Sequence, residues 1–153
     1  GNTLRAAAEL RDLGADTYPI NKVMFGTKTI ARLRLEAALT ESVEFYAGGL
    51  VGVCTMTQAL LNRVGADSND TDDISGFARG IEGVQIGVMI QELKEGGAKI
   101  SLRTGEDYNA SAICAELGGG GHKAAAGATD PDGTEQAKKR ILEAIAHSGV
   151  ELG

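Results

Sequence analysis

Apolar and polar positions change rhythm along this chain, and each change marks an element. Ala6, Leu10 and Leu13 share one face of a helix predicted over residues 3–14, with Gly14 as its stop. Pro19 opens a second short helix reaching about Phe25. Residues 29–46 read as a longer helix whose apolar side is Ile30, Leu33, Ala37 and Leu39, with Arg32 and Arg34 on a solvated or interdomain face. Gly48-Gly49 interrupts that pattern. Leu50, Val51, Val53 and Cys54 then suggest a strand, and Thr57 caps a helix carrying Leu60, Leu61 and Val64 that Gly65 ends. Asp70 and Asp73 suit the start of another helix with Ile74, Phe77 and Ala78 facing inward.

Strict alternation follows. Val84, Ile86, Val88 and Ile90 alternate with Gln85, Gly87, Met89 and Gln91, and Ala98, Ile100 and Leu102 resume the alternation after the turn Lys94-Glu95-Gly96-Gly97. A hairpin is expected. Because side chains two apart share a sheet face, Lys99, Ser101 and Arg103 point together, away from the apolar set. Asn109 caps a helix bearing Ala110, Ile113 and Leu117, and the glycine run Gly118–Gly121 follows, then His122-Lys123 and Ala124–Gly127. Asp130-Pro131-Asp132-Gly133 is a turn, and a last helix runs from Thr134 to about His147. The mixture predicts an α/β (α+β) fold with a mixed sheet flanked by helices, preceded by an all-helical segment.

Composition narrows the class. With 42% hydrophobic and 24% charged residues the chain is globular, and no apolar run approaches a membrane span. The net charge of −6 and the absence of Trp disfavour a protein that grips long nucleic acid through a broad basic face or a stacking groove. The two cysteines, Cys54 and Cys114, have no metal-ligand spacing and read as buried thiols of a cytoplasmic protein. With only His122 and His147 as imidazoles, no carboxylate–histidine cluster for two-metal hydrolysis can be assembled. No serine or cysteine nucleophile has an evident base, so no catalytic residue is assigned. The chain does not begin with Met and reads as an excised piece.

The glycine run carries the candidate chemistry. Consecutive glycines are tolerated where main chain must take unusual angles or where something approaches it closely. Inward-turned N–H groups form a concavity for anions, and His122 and Lys123 add donors and charge, so phosphate is the preferred guest. Gly119, Gly121 and Ala124 match a relaxed dinucleotide fingerprint, but helix precedes and strand follows, the reverse of that motif's order. The nucleotide-triphosphate loop fails as well, since Lys123 follows His122 and precedes Ala124.

Glu82-Gly83-Val84, Ile100-Ser101-Leu102-Arg103-Thr104, Ala112-Ile113 and the run Gly118–Gly127 together resemble the DHHA1 domain, the C-terminal partner of the DHH phosphoesterase domain. Among its relatives the chain is most similar to bacterial nano-RNases that also dephosphorylate 3′-phosphoadenosine 5′-phosphate, a similarity that Ala31-Arg32-Leu33-Arg34-Leu35 shares. The resemblance implies a helical linker or end of the DHH domain over 1–46 and a substrate-binding DHHA1 domain over 47–153. It implies that Ser101, Arg103, Gly119, Gly120, Gly121 and His122 hold nucleotide phosphate, and the charge of Lys123 beside the glycine run adds it to the expected site. The partners it implies are a short RNA or nucleotide substrate and a DHH domain in cis carrying two manganese ions; a homodimer is left open. Thr104 stands where the family commonly has Ser and keeps the hydroxyl. Alternatives are a cyclic-dinucleotide phosphodiesterase, a RecJ-type exonuclease and a stand-alone nucleic-acid-binding module. The piece by itself is expected to be inactive.

Overall fold

The computed structural model describes residues 1–153. The chain forms two compact units, Gly1–Ile30 and Ala31–Gly153. The first unit holds α1 (Asn2–Asp12) and α2 (Thr17–Phe25). The Asp16 carboxylate accepts from the Tyr18 N–H at 3.0 Å and fixes the start of α2 two residues before Pro19 can. Neither helix buries a side chain, and the face expected to point inward is open, with Leu10 57% and Leu13 85% exposed.

In the second unit, α3 (Ile30–Ser42) stops four residues short of the expected end, and Glu44–Tyr46 become strand β1 instead. Val43, Phe45 and Tyr46 are β-branched or aromatic and fit a pleated surface better than a helix. The buried stripe of α3 is Leu35 and Leu39, whereas Ile30 and Leu33 are exposed. Arg32 is not on a solvated face. It donates to Glu36 Oε1 at 2.8 Å and to the carbonyls of Asp70 (2.8 Å) and Asp72 (2.5 Å), tying α3 to a distant segment.

The remaining strands are β2 (Val51–Met56), β3 (Ile86–Glu92), β4 (Ala98–Thr104), β5 (Gly120–His122) and β6 (Ala125–Asp130). They form one sheet in the order β1-β2-β3-β4-β6-β5. Only β2 and β3 are parallel. The crossover between them uses α4 (Gln58–Val64) and three single-turn 3-10 segments, Asn69–Thr71, Ile74–Gly76 and Ala78–Gly80. Thr57 and Gly65 cap α4 as expected. The helix expected from Asp70 or Asp73 does not form. Asp73 is left-handed at φ 57° and its side chain accepts no cap hydrogen bond, and Gly76 and Gly80 punctuate the stretch that follows.

Two cores sandwich the sheet unequally. On one face α5 (Ala110–Ala115) and α6 (Thr134–His147) pack Ile113, Ile141 and Ile145 on Val88, Ile100 and Leu102. On the other, α3, α4 and the 3-10 turns pack Leu35, Leu39 and Ala78 on Cys54, Met56 and Met89. This second layer covers β2 and β3, so β3 is buried on both faces despite its alternating sequence. Each fully buried Ile or Leu contributes about 1.5–3 kcal/mol. Cys54 and Cys114 sit in opposite cores, both unbridged, and burial pushes each thiol up to about 11.

α5 and α6 are also clipped together by His147 Nδ1 and Glu116 Oε2 at 2.8 Å. The hydrogen bond to Glu116, then its charge, raises the His147 pKa above its ordinary 6.5. The clip's stabilisation is therefore fully present below the unfolded value and fades as pH rises through the elevated folded one. A ring-proton titration by NMR is expected to place His147 above 6.5. Glu116→Gln should lower the His147 value toward its ordinary one.

Candidate functional site

The apolar packing of the second layer ends at β3, and the part of the face beyond it defines the site. Strand register places Met89, Ser101, Gly127 and Gly120 in one cross-strand row, and Gly87, Arg103, Ala125 and His122 in the next. Directly opposed residues share a sheet face. Ser101, Arg103, Gly120 and His122 therefore occupy one face, on the side away from α5 and α6. At a spacing of about 4.8 Å per strand, Arg103 and His122 stand roughly 10 Å apart across β6. Between them the surface is Ala125 and Gly127, a floor almost without side chains. Lys99 lies on the same face, exposed.

Arg103 is oriented by two contacts. Its Nη1 donates to the Leu102 carbonyl at 3.1 Å and its Nη2 to Ser75 Oγ at 2.9 Å. A guanidinium has five N–H donors, so this leaves three for a guest. Ser75 rides on the 3-10 turn Ile74–Gly76, which no periodicity in the sequence singles out. Thr104 points to the opposite face, where its buried hydroxyl donates to the Lys123 carbonyl at 3.1 Å. That bond, with Thr104 N–H to the Ala124 carbonyl at 3.1 Å, anchors the β5–β6 turn to β4.

The glycine run is not a loop with converging N–H groups. Gly118, at φ 72°, is the left-handed exit from α5. The N–H groups of Gly118 and Gly119 already donate to the carbonyls of Ala115 (3.0 Å) and Cys114 (2.9 Å). Gly120–His122 is extended and forms the outer strand of the sheet, so its successive N–H groups alternate in direction. A Cβ at Gly119 would meet the Gly127 carbonyl oxygen and stand 2.8 Å from Ala128 Cα; one at Gly121 would stand 2.6 Å from Ala126 Cα. Packing of the strand against β6 requires both to be bare. Gly120 is different: a Cβ there meets nothing within 4 Å, and its backbone angles suit any residue. Lys123 lies in the turn, exposed, rather than on the face with Arg103.

Residues 53–148 match the DHHA1 domain. This chain belongs to the DHHA1 domain family. It is 35% identical over 152 residues to the "Bifunctional oligoribonuclease and PAP phosphatase NrnA" of Thermus thermophilus, covering 98% of this chain and 44% of that protein. The chain thus spans less than half the length of that relative. Among solved structures, an exopolyphosphatase-related protein from Bacteroides fragilis superposes with a TM-score of 0.85 at 23% identity, over 95% of this chain and 43% of that one. A Vibrio pGpG-specific phosphodiesterase shares the fold with a TM-score of 0.52 at 12% identity, over 76% of this chain and 39% of that one. No helix of this DHHA1 chain is long and apolar enough to cross a membrane.

The manganese pair that the family resemblance implies does not fit this chain's own residues. No three His, Cys, Asp or Glu side chains are grouped to hold an ion. His147 is spent on Glu116, and His122 faces the glycine floor with no carboxylate opposite it in the register.

Proposed function

We propose that this DHHA1 chain is the substrate-holding part of a DHH-family phosphoesterase acting on short oligoribonucleotides or 3′-phosphoadenosine 5′-phosphate. One observation carries the proposal. Arg103 and Ser101 on β4 and His122 on β5 flank a floor of Gly127, Ala125 and Gly120 that the second helical layer leaves open. The guanidinium supplies a fixed fork for phosphate oxygens, and the Ser101 hydroxyl and the His122 ring supply further donors. A bare floor lets a phosphate or a ribose lie against the main chain. Arg103, Ser101 and His122 hold the substrate, and a DHH domain in cis would hold the metal ions that activate water for attack on phosphorus. This chain contributes binding and orientation to that step.

Gly120 tests the proposal, because the fold does not need it bare. Gly120→Val is expected to weaken adenylate binding at least tenfold, measured by NMR titration of the chain, and to shift Tm by less than about 3 °C. The corresponding enzyme with its DHH domain should lose turnover of 3′-phosphoadenosine 5′-phosphate in parallel. Adenylate binding unchanged in Gly120→Val would remove this face as the site.

A further inference from the structure

Arg79 stands out once the binding face is mapped. It belongs to the 3-10 turn Ala78–Gly80, whose main chain lies directly on Gly87, the neighbour of Arg103 in the sheet register. Its guanidinium extends past the end of β4, where Nη2 stands 3.5 Å from the position a Gly105 Cβ would take. There it lines a groove of about 680 Å³ together with Gln85, Gly105 and Lys123, with Glu106 and Asp107 also on its wall. No hydrogen bond or ion pair within the protein occupies the Arg79 or Lys123 side chain. Arg103 and Arg140 show the contrast: Arg103 is tied to Ser75, and Arg140 is spent on Asp130 and Asp132.

We infer that this groove is a second phosphate subsite, contiguous with the Arg103 face, that takes the neighbouring phosphate of a dinucleotide. The step rests on the nucleotide reading of that face. The geometry gives its direction. Arg103 and the β5–β6 turn lie at the same end of the sheet, since Arg103 is paired with Ala125 and Thr104 is bonded to Ala124. A phosphate held at Arg103 has the Arg79–Lys123 groove as its neighbour in the direction in which β4 runs out. Successive phosphates of an extended strand lie roughly 6–7 Å apart, about the length that two residues of a strand span. The groove's volume lies within the range of small-ligand sites. Glu106 and Asp107 offset its two cations in net charge. Only an anion placed against the cations gains, so the groove selects for position and is not a general anion trap.

The test compares adenylate, with one phosphate, and 5′-phosphorylated diadenylate, with two, titrated into the chain by NMR or calorimetry. The wild-type chain should bind the diadenylate at least fivefold tighter. Arg79→Ala should erase that preference while leaving the adenylate Kd within about twofold, and Arg79→Lys should retain part of it, because a charge without the fork still attracts phosphate. Lys123→Ala should lower diadenylate affinity in the same sense. The subsite is overturned if Arg79→Ala leaves the preference intact, or if it weakens both ligands equally. Arg103→Ala separates the two levels. If adenylate binding survives it, the reading of the main face fails; if adenylate binding is lost while Arg79→Ala changes nothing, only the second subsite fails. A folded wild-type chain that binds neither ligand overturns both.

Discussion

Replacing Arg103 with alanine is expected to weaken adenylate binding by roughly ten- to a hundredfold, the range spanned by about 1.5–3 kcal/mol for hydrogen bonds to a charged group. The size of the effect follows from how the side chain is held. Its backbone is fixed in a central strand, its guanidinium is anchored to the Leu102 carbonyl and to Ser75, and the floor beside it in the register is only Ala125 and Gly127. Little conformational freedom is lost when a phosphate arrives, so most of the contact energy appears as affinity. The fold loses only two part-buried bonds, to Ser75 and to the Leu102 carbonyl, so Tm should fall by no more than a few degrees. Arg103→Lys should recover part of the affinity but not all, because an ammonium keeps the charge and loses the bidentate geometry. Ser75→Ala should cost less than Arg103→Ala and show mainly as weaker binding. Calorimetric titration of the three variants with adenylate checks the series, and wild-type affinity in Arg103→Ala would exclude the proposed site.

The second large effect is on stability. Gly87→Val is expected to cost about 3 kcal/mol or more and to lower Tm by about 10 °C, because the new side chain has nowhere to go. A Cβ at Gly87 would stand 2.7 Å from Arg79 Cβ and 2.8 Å from Arg79 Cα, both parts of the turn that roofs β3. Relief requires that turn to lift, which uncovers Ala78, Ile74 and Met89 in the smaller core. The same displacement moves Ser75 and Arg79, so ligand binding should weaken together with stability. Gly120→Val, with open space around its Cβ, makes the matched comparison: binding should fall while the melting curve stays in place. Thermal denaturation of both variants in one buffer decides it. Equal Tm values for Gly87→Val and wild type would show that the roof is looser than the packing requires.

Much of the architecture was legible in local pattern. The β3–β4 hairpin, the caps Thr57 and Asn109, the stop at Gly65 and the grouping of Ser101 with Arg103 all follow from contacts within a few residues. Such features depend on spacing and on side chain-to-backbone bonds that any reader of the chain can count. The end of α3, the 3-10 turns after Asp70 and the true burial of Leu35 were not legible. Each depends on what a distant segment presents. Glu44–Tyr46 joins the sheet because β2 offers an open edge, and Arg32 is drawn inward because the Asp70 and Asp72 carbonyls need a donor.

The candidate site divides along the same line. From the order of its residues alone, this chain is committed to an alternating β4 that puts Ser101 and Arg103 on one side and to a glycine run beside His122. It is equally committed to a family likeness spread across these motifs. Which glycines are bare for packing and which for a guest was settled only by tertiary structure, because the difference between Gly119 and Gly120 is whether β6 main chain stands within reach of a Cβ. Tertiary structure alone also set Ser75 beneath Arg103 and Arg79 beside Gly105, since sheet register and the crossover between β2 and β3 join residues far apart along the chain.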